Sequence, residues 1–362
     1  MPRLTTVFVL ILAVFTISQS AARELNPKAS IADTTAGVLG INHIGLSVKD
    51  LDKALAFYQQ ASGFELVRRE KVANNPAADK LYAHDGVAYE VAVLKAPNML
   101  FELTEFSHNA DATSKRMPAQ GPGMTHTCFQ SPMEESGFDK FVKVGADVLS
   151  RYDQPVDLGG YGVTYAYAYD PEGNMIELEQ LDGELLKRAG YDMSWQELDE
   201  SLWMSQVALA THDIDALMGF YEKILGFEPY RRAELADNER ADEIADVDNL
   251  HILGGWFRMN KTSKVIEIWQ YINPITEEFT STRKSSDLGY SFSIEVDDIQ
   301  QEYQRMSKLG VEFDSEPVEL GDFWQVYGRD LDGNVFSLRQ LGAEADSRFS
   351  VREMDQLKIA EK

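Results

Sequence analysis

The stretch NHIGLSVKDLDKALAFYQQASGFELV, Asn42 to Val67, reads as a strand, a turn and a helix, with a histidine second in it. Leu51, Ala54, Leu55 and Tyr58 fall on one helical face, Asp50 or Asp52 can cap the helix start, and Gly63 can end it. Whether His43 packs or holds something depends on what the rest of the chain repeats.

About 160 residues on, the stretch returns as SQVALATHDIDALMGFYEKILGFE, Ser205 to Glu228. Leu46 falls on Leu209, Asp50 on Asp213, Phe57-Tyr58 on Phe220-Tyr221 and Gly63-Phe64 on Gly226-Phe227. DPEGNMIELEQL (Asp170–Leu181) likewise returns as DLDGNVFSLRQL (Asp330–Leu341). Two ends repeating in the same order at nearly the same spacing indicate a duplicated domain. A weaker repeat lies inside each half: HIGLSVKDLDKALAFY, from His43, resembles HTCFQSPMEESGFDKFVKVGADV, from His126. Runs with strand character follow each helix, at Tyr89–Leu94 and Met99–Phe106, then at Thr164–Tyr169 and Asn174–Leu181. The unit is strand, helix and further strands, present four times. In Asp170-Pro171-Glu172-Gly173-Asn174 the proline fixes its own φ and the glycine accepts a positive one, so this turn sets the register of the strand after it.

Composition bounds what such a chain does. Its 362 residues favour two domains, and 44% hydrophobic with 26% charged residues is ordinary globular usage. With 59 acidic against 34 basic residues the net charge is -25. Such a surface repels phosphate, so neither nucleic acid nor an anionic membrane is an expected partner, and a small molecule is. Residues 1–22 have the form of a signal peptide, with Arg3, the apolar run Val7–Phe15 and the small-residue site Ser20-Ala21-Ala22. A periplasmic or secreted location is expected. Cys128 is the one cysteine, so no intramolecular disulfide forms.

The repeated F-Y-x-x-x-x-G-F helix end and the D-P-x-G-N-x-x-E-L closing strand resemble the vicinal oxygen chelate superfamily, which includes glyoxalase I, extradiol dioxygenases and bleomycin-resistance proteins. The resemblance covers residues 38–181 and 203–341. It implies an α+β fold of tandem glyoxalase-like domains, each of two paired βαβββ modules forming a cup-shaped sheet around a metal. Residues 182–202 then form a polar, partly helical connector and residues 342–362 a C-terminal tail with a helix.

In that family a module offers ligands from its first and last strands. The matching residues are His43 and Glu102 in the first module, His126 and Glu177 in the second. Their setting supports this independently. Glu102 lies between Phe101 and Leu103, and Glu177 between Ile176 and Leu178, where an unpaired carboxylate is costly and needs a cation, a proton or several donors. One divalent ion is expected, zinc or nickel favoured, with iron, cobalt or manganese compatible. The second domain offers Gln206, Glu267, Phe292 and Ser337 at the matching positions, which reads as a degenerate site. If the second module pairs with the third instead, the set becomes His126, Glu177, Gln206 and Glu267; sequential pairing is the simpler topology and is preferred.

The resemblance implies a metal-dependent lyase or isomerase acting on a small substrate with vicinal oxygens, with Glu177 as catalytic base and Glu102 as structural ligand. An extradiol dioxygenase would use His43, His126 and Glu177 on iron, and a non-catalytic binding protein would use the cup alone. A single chain has the modules to build a site, and a homodimer is compatible with the family. Tyr165, Tyr167 and Tyr169 alternate on one strand and can wall the cup. Cys128 and Glu179 share faces with His126 and Glu177. The acidic run Glu234–Asp248 reads as a solvated loop.

Overall fold

The computed structural model describes residues 36–160, 162–189, 201–259 and 264–354; the predicted signal segment lies outside them, as does most of the connector. The opening stretch folds as read. β1 (Val38–Val48) leads into α1 (Leu51–Ser62), where Asp50 caps the start by accepting from the Lys53 amide. Gly63, at φ 74, ends the helix in the left-handed region that a side chain disfavours. Leu51, Ala54, Leu55, Phe57, Tyr58 and Ala61 are buried along one side of α1. Each fully buried large apolar side chain contributes about 1.5–3 kcal/mol.

The remainder of the first module is β2 (Glu65–Val72), α2 (Pro76–Leu81), β3 (Tyr89–Lys95) and β4 (Leu100–Phe106). The second is β5 (Gly123–Pro132), α3 (Gly137–Lys143), the short β6 (Asp147–Val148) and β7 (Val156–Asp157), β8 (Val163–Tyr169) and β9 (Met175–Leu181). Asp170 organises the turn into β9 by accepting from the amides of Glu172 and Asn174. After α4 (Gly183–Arg188), the third module is β10 (Trp203–Ala210), α5 (Ile214–Leu225), β11 (Arg231–Leu235), α6 (Glu239–Ala245), β12 (His251–Arg258) and β13 (Val265–Asn273). The fourth is β14 (Gly289–Val296), α7 (Ile299–Lys308), β15 (Glu312–Phe313), β16 (Val318–Leu320), β17 (Phe323–Arg329) and β18 (Val335–Leu341), and α8 (Val351–Met354) closes the described chain.

The modules do not pair sequentially, which corrects the expectation from sequence. One sheet runs β15-β17-β18-β14-β1-β4-β3-β2, joining the first module to the fourth. The other runs β11-β12-β13-β10-β5-β9-β8-β6, joining the second to the third. The junctions are antiparallel, β1 with β14 and β5 with β10. Side chains specify the partners where the backbone alone would accept any first strand. The Trp203 indole donates to Gln130 Oε1 at 2.8 Å and the Thr127 hydroxyl to the Gln206 carbonyl at 2.7 Å. At the other junction the Asn42 amide donates to Glu295 at 2.7 Å. We call the pair of modules one and four the terminal cup, and modules two and three the central cup.

Strand alternation then divides the two faces of each sheet. Phe101, Leu103, Ile176 and Leu178 enter the main apolar core, which the sheets share through α1 and α3. Phe101 of one sheet lies 6.0 Å from Phe129 of the other, ring to ring, and Phe57 lies 5.7 Å from Phe141. Glu102 and Glu177 therefore point to the opposite faces, away from this core. The acidic run is not wholly a loop. Asn238 accepts from the amides of Arg240 and Ala241 and starts α6, which buries Ala241, Ile244 and Ala245.

Candidate metal centre

In the central cup, β5 delivers His126, β9 Glu177, β10 Gln206 and β13 Glu267, all buried. Ala208 lies beside both His126 and Glu267 in register, so the four side chains meet over the junction of the two modules. His126 Nε2 is 3.4 Å from Glu177 Oε2 and 3.6 Å from Glu267 Oε2. Ligand atoms of these three residues lie within 4.8 Å of one another. Ligands about 2.1 Å from a tetrahedral ion sit about 3.4 Å apart, so an ion fits among them with small adjustments.

The surroundings orient the set. His126 Nδ1 is 3.0 Å from the Thr125 hydroxyl, which holds the ring, while Nε2 is buried with no hydrogen-bond partner. Glu267 accepts from the Trp256 indole at 2.6 Å and from Gln206 Nε2 at 3.2 Å. Glu177 accepts from the same Gln206 nitrogen at 2.8 Å, and Gln206 Oε1 accepts from Ser205. A half-turn of the Gln206 amide would offer its oxygen to a cation. Burial disfavours the charged form of His126, but Glu177 and Glu267 more than offset this and raise its pKa to about 9. A proton thus balances charge where nitrogen and oxygen donors converge, and this donor set suits a divalent ion.

Tyr167, expected as a wall, lies 5.0 Å from the His126 ring, and its ring is 6.0 Å from that of Tyr165. Glu179 projects beside Glu177; burial, then the Glu177 charge, raises its pKa to about 8. Cys128 is buried on the same face, and its thiol donates to Glu179 Oε2 at 3.6 Å, so it lines the cup beside the carboxylates.

His43 and Glu102, the other two expected ligands, lie in the terminal cup and do not join His126 and Glu177. Their partner is Arg339, in the β18 position that matches Glu179. Its Nη2 lies 3.3 Å from Glu102 Oε2 and donates to Gln325 Oε1 at 2.8 Å. Arg68 Nη2 reaches the same Glu102 oxygen at 3.4 Å, and His43 Nε2 is 4.0 Å from the other. Burial opposes ionisation of Glu102, but Arg339, His43 and Arg68 outweigh it and hold the pKa at about 2. Burial, with Arg339, pushes His43 down to about 3, so it is uncharged at neutral pH.

The register also corrects one residue of the degenerate set. Gly45 faces Ser291 as Ala208 faces His126, so Ser291 and Ser337 occupy the matching positions. Phe292 points into the core, stacked 6.0 Å from Phe336. Sequence reasoning missed Trp256, Arg68 and Arg339. The signal for Arg339 was available, since it stands on an apolar closing strand and needs a carboxylate.

Comparison with known proteins agrees with this architecture. The family model described as Glyoxalase/Bleomycin resistance protein/Dioxygenase superfamily matches residues 40–178 and 203–338. Glyoxalase I from Zea mays superposes with a TM-score of 0.55 at 19% identity, covering 87% of this chain and 95% of that one. A putative dioxygenase from Bacillus subtilis also gives 0.55, at 11% identity, covering 88% and 90%. In sequence, Glyoxylase I 4 of Arabidopsis thaliana is 26% identical over 142 residues, 39% of this chain and 71% of that protein.

Proposed function

This chain belongs to the glyoxalase/bleomycin resistance protein/dioxygenase superfamily, and we propose on that premise that its central cup is the metal site of a lyase or isomerase. Its substrate would be a small molecule with vicinal oxygens, of the α-hydroxycarbonyl kind, and its chemistry the transfer of a carbon-bound proton. The reading rests on His126 Nε2, a buried ring nitrogen without a hydrogen-bond partner that faces two buried carboxylates.

His126, Glu177, Glu267 and, after its amide turns, Gln206 would hold the ion, with zinc or nickel favoured. When bound, a divalent ion supplies a Lewis acid for the substrate's neighbouring oxygens. Glu267, pinned by the Trp256 indole, stays in place as a holding group. Glu177 accepts from the Gln206 amide, faces His126 and is held by no indole, so it is the carboxylate to take the proton from one carbon and return it to the next. Tyr167, beside Glu177 in register and 5.0 Å from the His126 ring, would flank a substrate held there.

The extradiol alternative loses its triad, because His43 lies in the other sheet. No helix among the described residues is long and apolar enough to cross a membrane. We propose export through residues 1–22, so cell fractionation should recover a shortened chain outside the cytoplasm.

The test is solvent exchange. Full chain loaded with zinc or nickel is mixed in D2O with hydroxyacetone and with thiohemiacetal substrates, and loss of the C–H signal is followed by NMR. Metal-dependent exchange that falls about 100-fold or more in Glu177→Gln supports the assignment. A protein that binds no divalent ion, or exchange that survives His126→Ala, overturns it.

A further inference from the structure

The terminal cup has kept the architecture of the central one and changed its chemistry. Two of its four ligand positions are serines, Ser291 and Ser337, and a guanidinium has entered the space between the modules. Arg339 is 4% exposed, with Nη2 engaged by Glu102 and Gln325. Its Nε is buried and has no hydrogen-bond partner. Arg68 Nε, reaching in from β2, is in the same condition, because Glu70 stands 3.9 Å away, beyond hydrogen-bond reach. Ser293, fully buried beside His43 and Ser337 in register, has an unpartnered hydroxyl.

Buried donors without partners are costly, and here three of them belong to one face of one sheet. Of the other carboxylate on this part of the sheet, Glu295, both oxygens are already engaged: Asn42, Ser350 and the Val351 amide donate to it. Glu102 is the acid that meets the two guanidiniums. Aromatic and aliphatic side chains flank these polar groups. Arg339 stacks over Phe323 at 4.2 Å and Arg68 at 5.5 Å, Tyr82 lies 5.3 Å from Tyr327, and Phe349 packs on the cluster of Val91, Val93 and Leu100.

We propose that the terminal cup is a second, metal-independent site that binds a small carboxylate with a flat apolar body, Arg339 supplying the positive charge that an ion would supply in the central cup. The carboxylate would accept from Arg339 Nε, Arg68 Nε and the Ser293 hydroxyl, and the body would lie against Phe323 and the valines. Charge-assisted bonds of this type are stronger than neutral ones, and an arginine edge presents them in a plane that matches a carboxylate.

Benzoate is the probe, with benzamide as its uncharged match, titrated calorimetrically into full-length protein stripped with EDTA. One site per chain with a Kd of about 1 mM or tighter is expected, with benzamide at least about tenfold weaker. Reloading zinc, or the central-cup substitution Glu267→Gln, should leave benzoate affinity unchanged. Ser293→Ala should weaken it about threefold to tenfold, and Arg339→Gln about tenfold or more. Since Arg339→Gln strips Glu102 of a partner and can unfold the cup, Glu102→Gln/Arg339→Gln is measured beside it; this pair removes both of the most buried charges together, and Arg68, 28% exposed, keeps Glu70 at 3.9 Å. The proposal fails if benzoate does not saturate by ~20 mM, if it binds no better than benzamide, or if Glu267→Gln abolishes binding while the Arg339 and Ser293 variants keep it.

Discussion

Loading the central cup with a divalent ion must displace the proton that His126 holds there. The ring sits between Glu177 and Glu267 at 3.4 and 3.6 Å, and its pKa stands at about 9. At pH 7 the proton is bound about 99% of the time, so the apparent metal affinity is about 100-fold below its limiting value, and it should rise about tenfold per pH unit up to ~9 before levelling. The same pKa sets the stability of the metal-free protein. Because the folded value lies above the ordinary 6.5, the stabilisation is complete below about pH 6.5 and is lost as pH rises through about 9, on the order of 3 kcal/mol in all. Glu179, raised to about 8, works in the same direction, because a neutral buried carboxyl also favours the folded state at low pH. The assay is a competition titration with a chelator at pH 6, 7, 8 and 9, with calorimetry in buffers of different ionisation heat to count released protons. Glu179→Gln isolates the proton from His126. An apparent affinity flat from pH 6 to 9, or binding at pH 7 with no proton released, would refute the reasoning.

Four further outcomes follow from the geometry. Trp256→Phe removes the indole donor from Glu267 and should weaken metal binding about tenfold without unfolding the protein, read by the same titration. Tyr58→Phe deletes the buried bond to Asp170 Oδ2 at 2.9 Å and should lower stability by about 1–2 kcal/mol in urea unfolding, with metal affinity unchanged. Leu178→Ala, in the core behind the carboxylates of β9, should cost about 2–5 kcal/mol in the same unfolding assay. Residues 36–189 and 201–354 made as separate chains should each lack a zinc site, and mixing them should restore it, because His126 and Glu177 lie in one and Gln206 and Glu267 in the other.

Local signals were legible in the sequence. Asp50, Gly63 and the Asp170 turn act within a few residues, and each folds as its chemistry requires. The four carboxylate and histidine positions of the first half were legible too, because a glutamate flanked by Phe101 and Leu103 has few ways to be satisfied. What a strand pattern does not encode is its neighbour across a junction. That choice lies in contacts such as Trp203 with Gln130 and Asn42 with Glu295, whose partners are 73 and 253 residues apart. Once the modules are joined correctly, Gln206 and Glu267 move from a degenerate site to the side of His126 and Glu177, and Glu102 becomes the partner of Arg339. The helix at Glu239–Ala245 was hidden by its charge, since only three of its side chains face inward.

The crossed pairing of modules has a further meaning. Two half-length chains related by a two-fold axis would build the same two sheets, and in such a pair every substitution would appear in both cups at once. Joined in one chain, the halves write each cup from a different set of codons. Arg339 could enter one cup while Glu179 remained in the other, and neither change had to be tolerated twice. Covalent linkage therefore releases the two cups from symmetry, so that one scaffold can carry a candidate site for an acquired cation beside a cation of its own side chain.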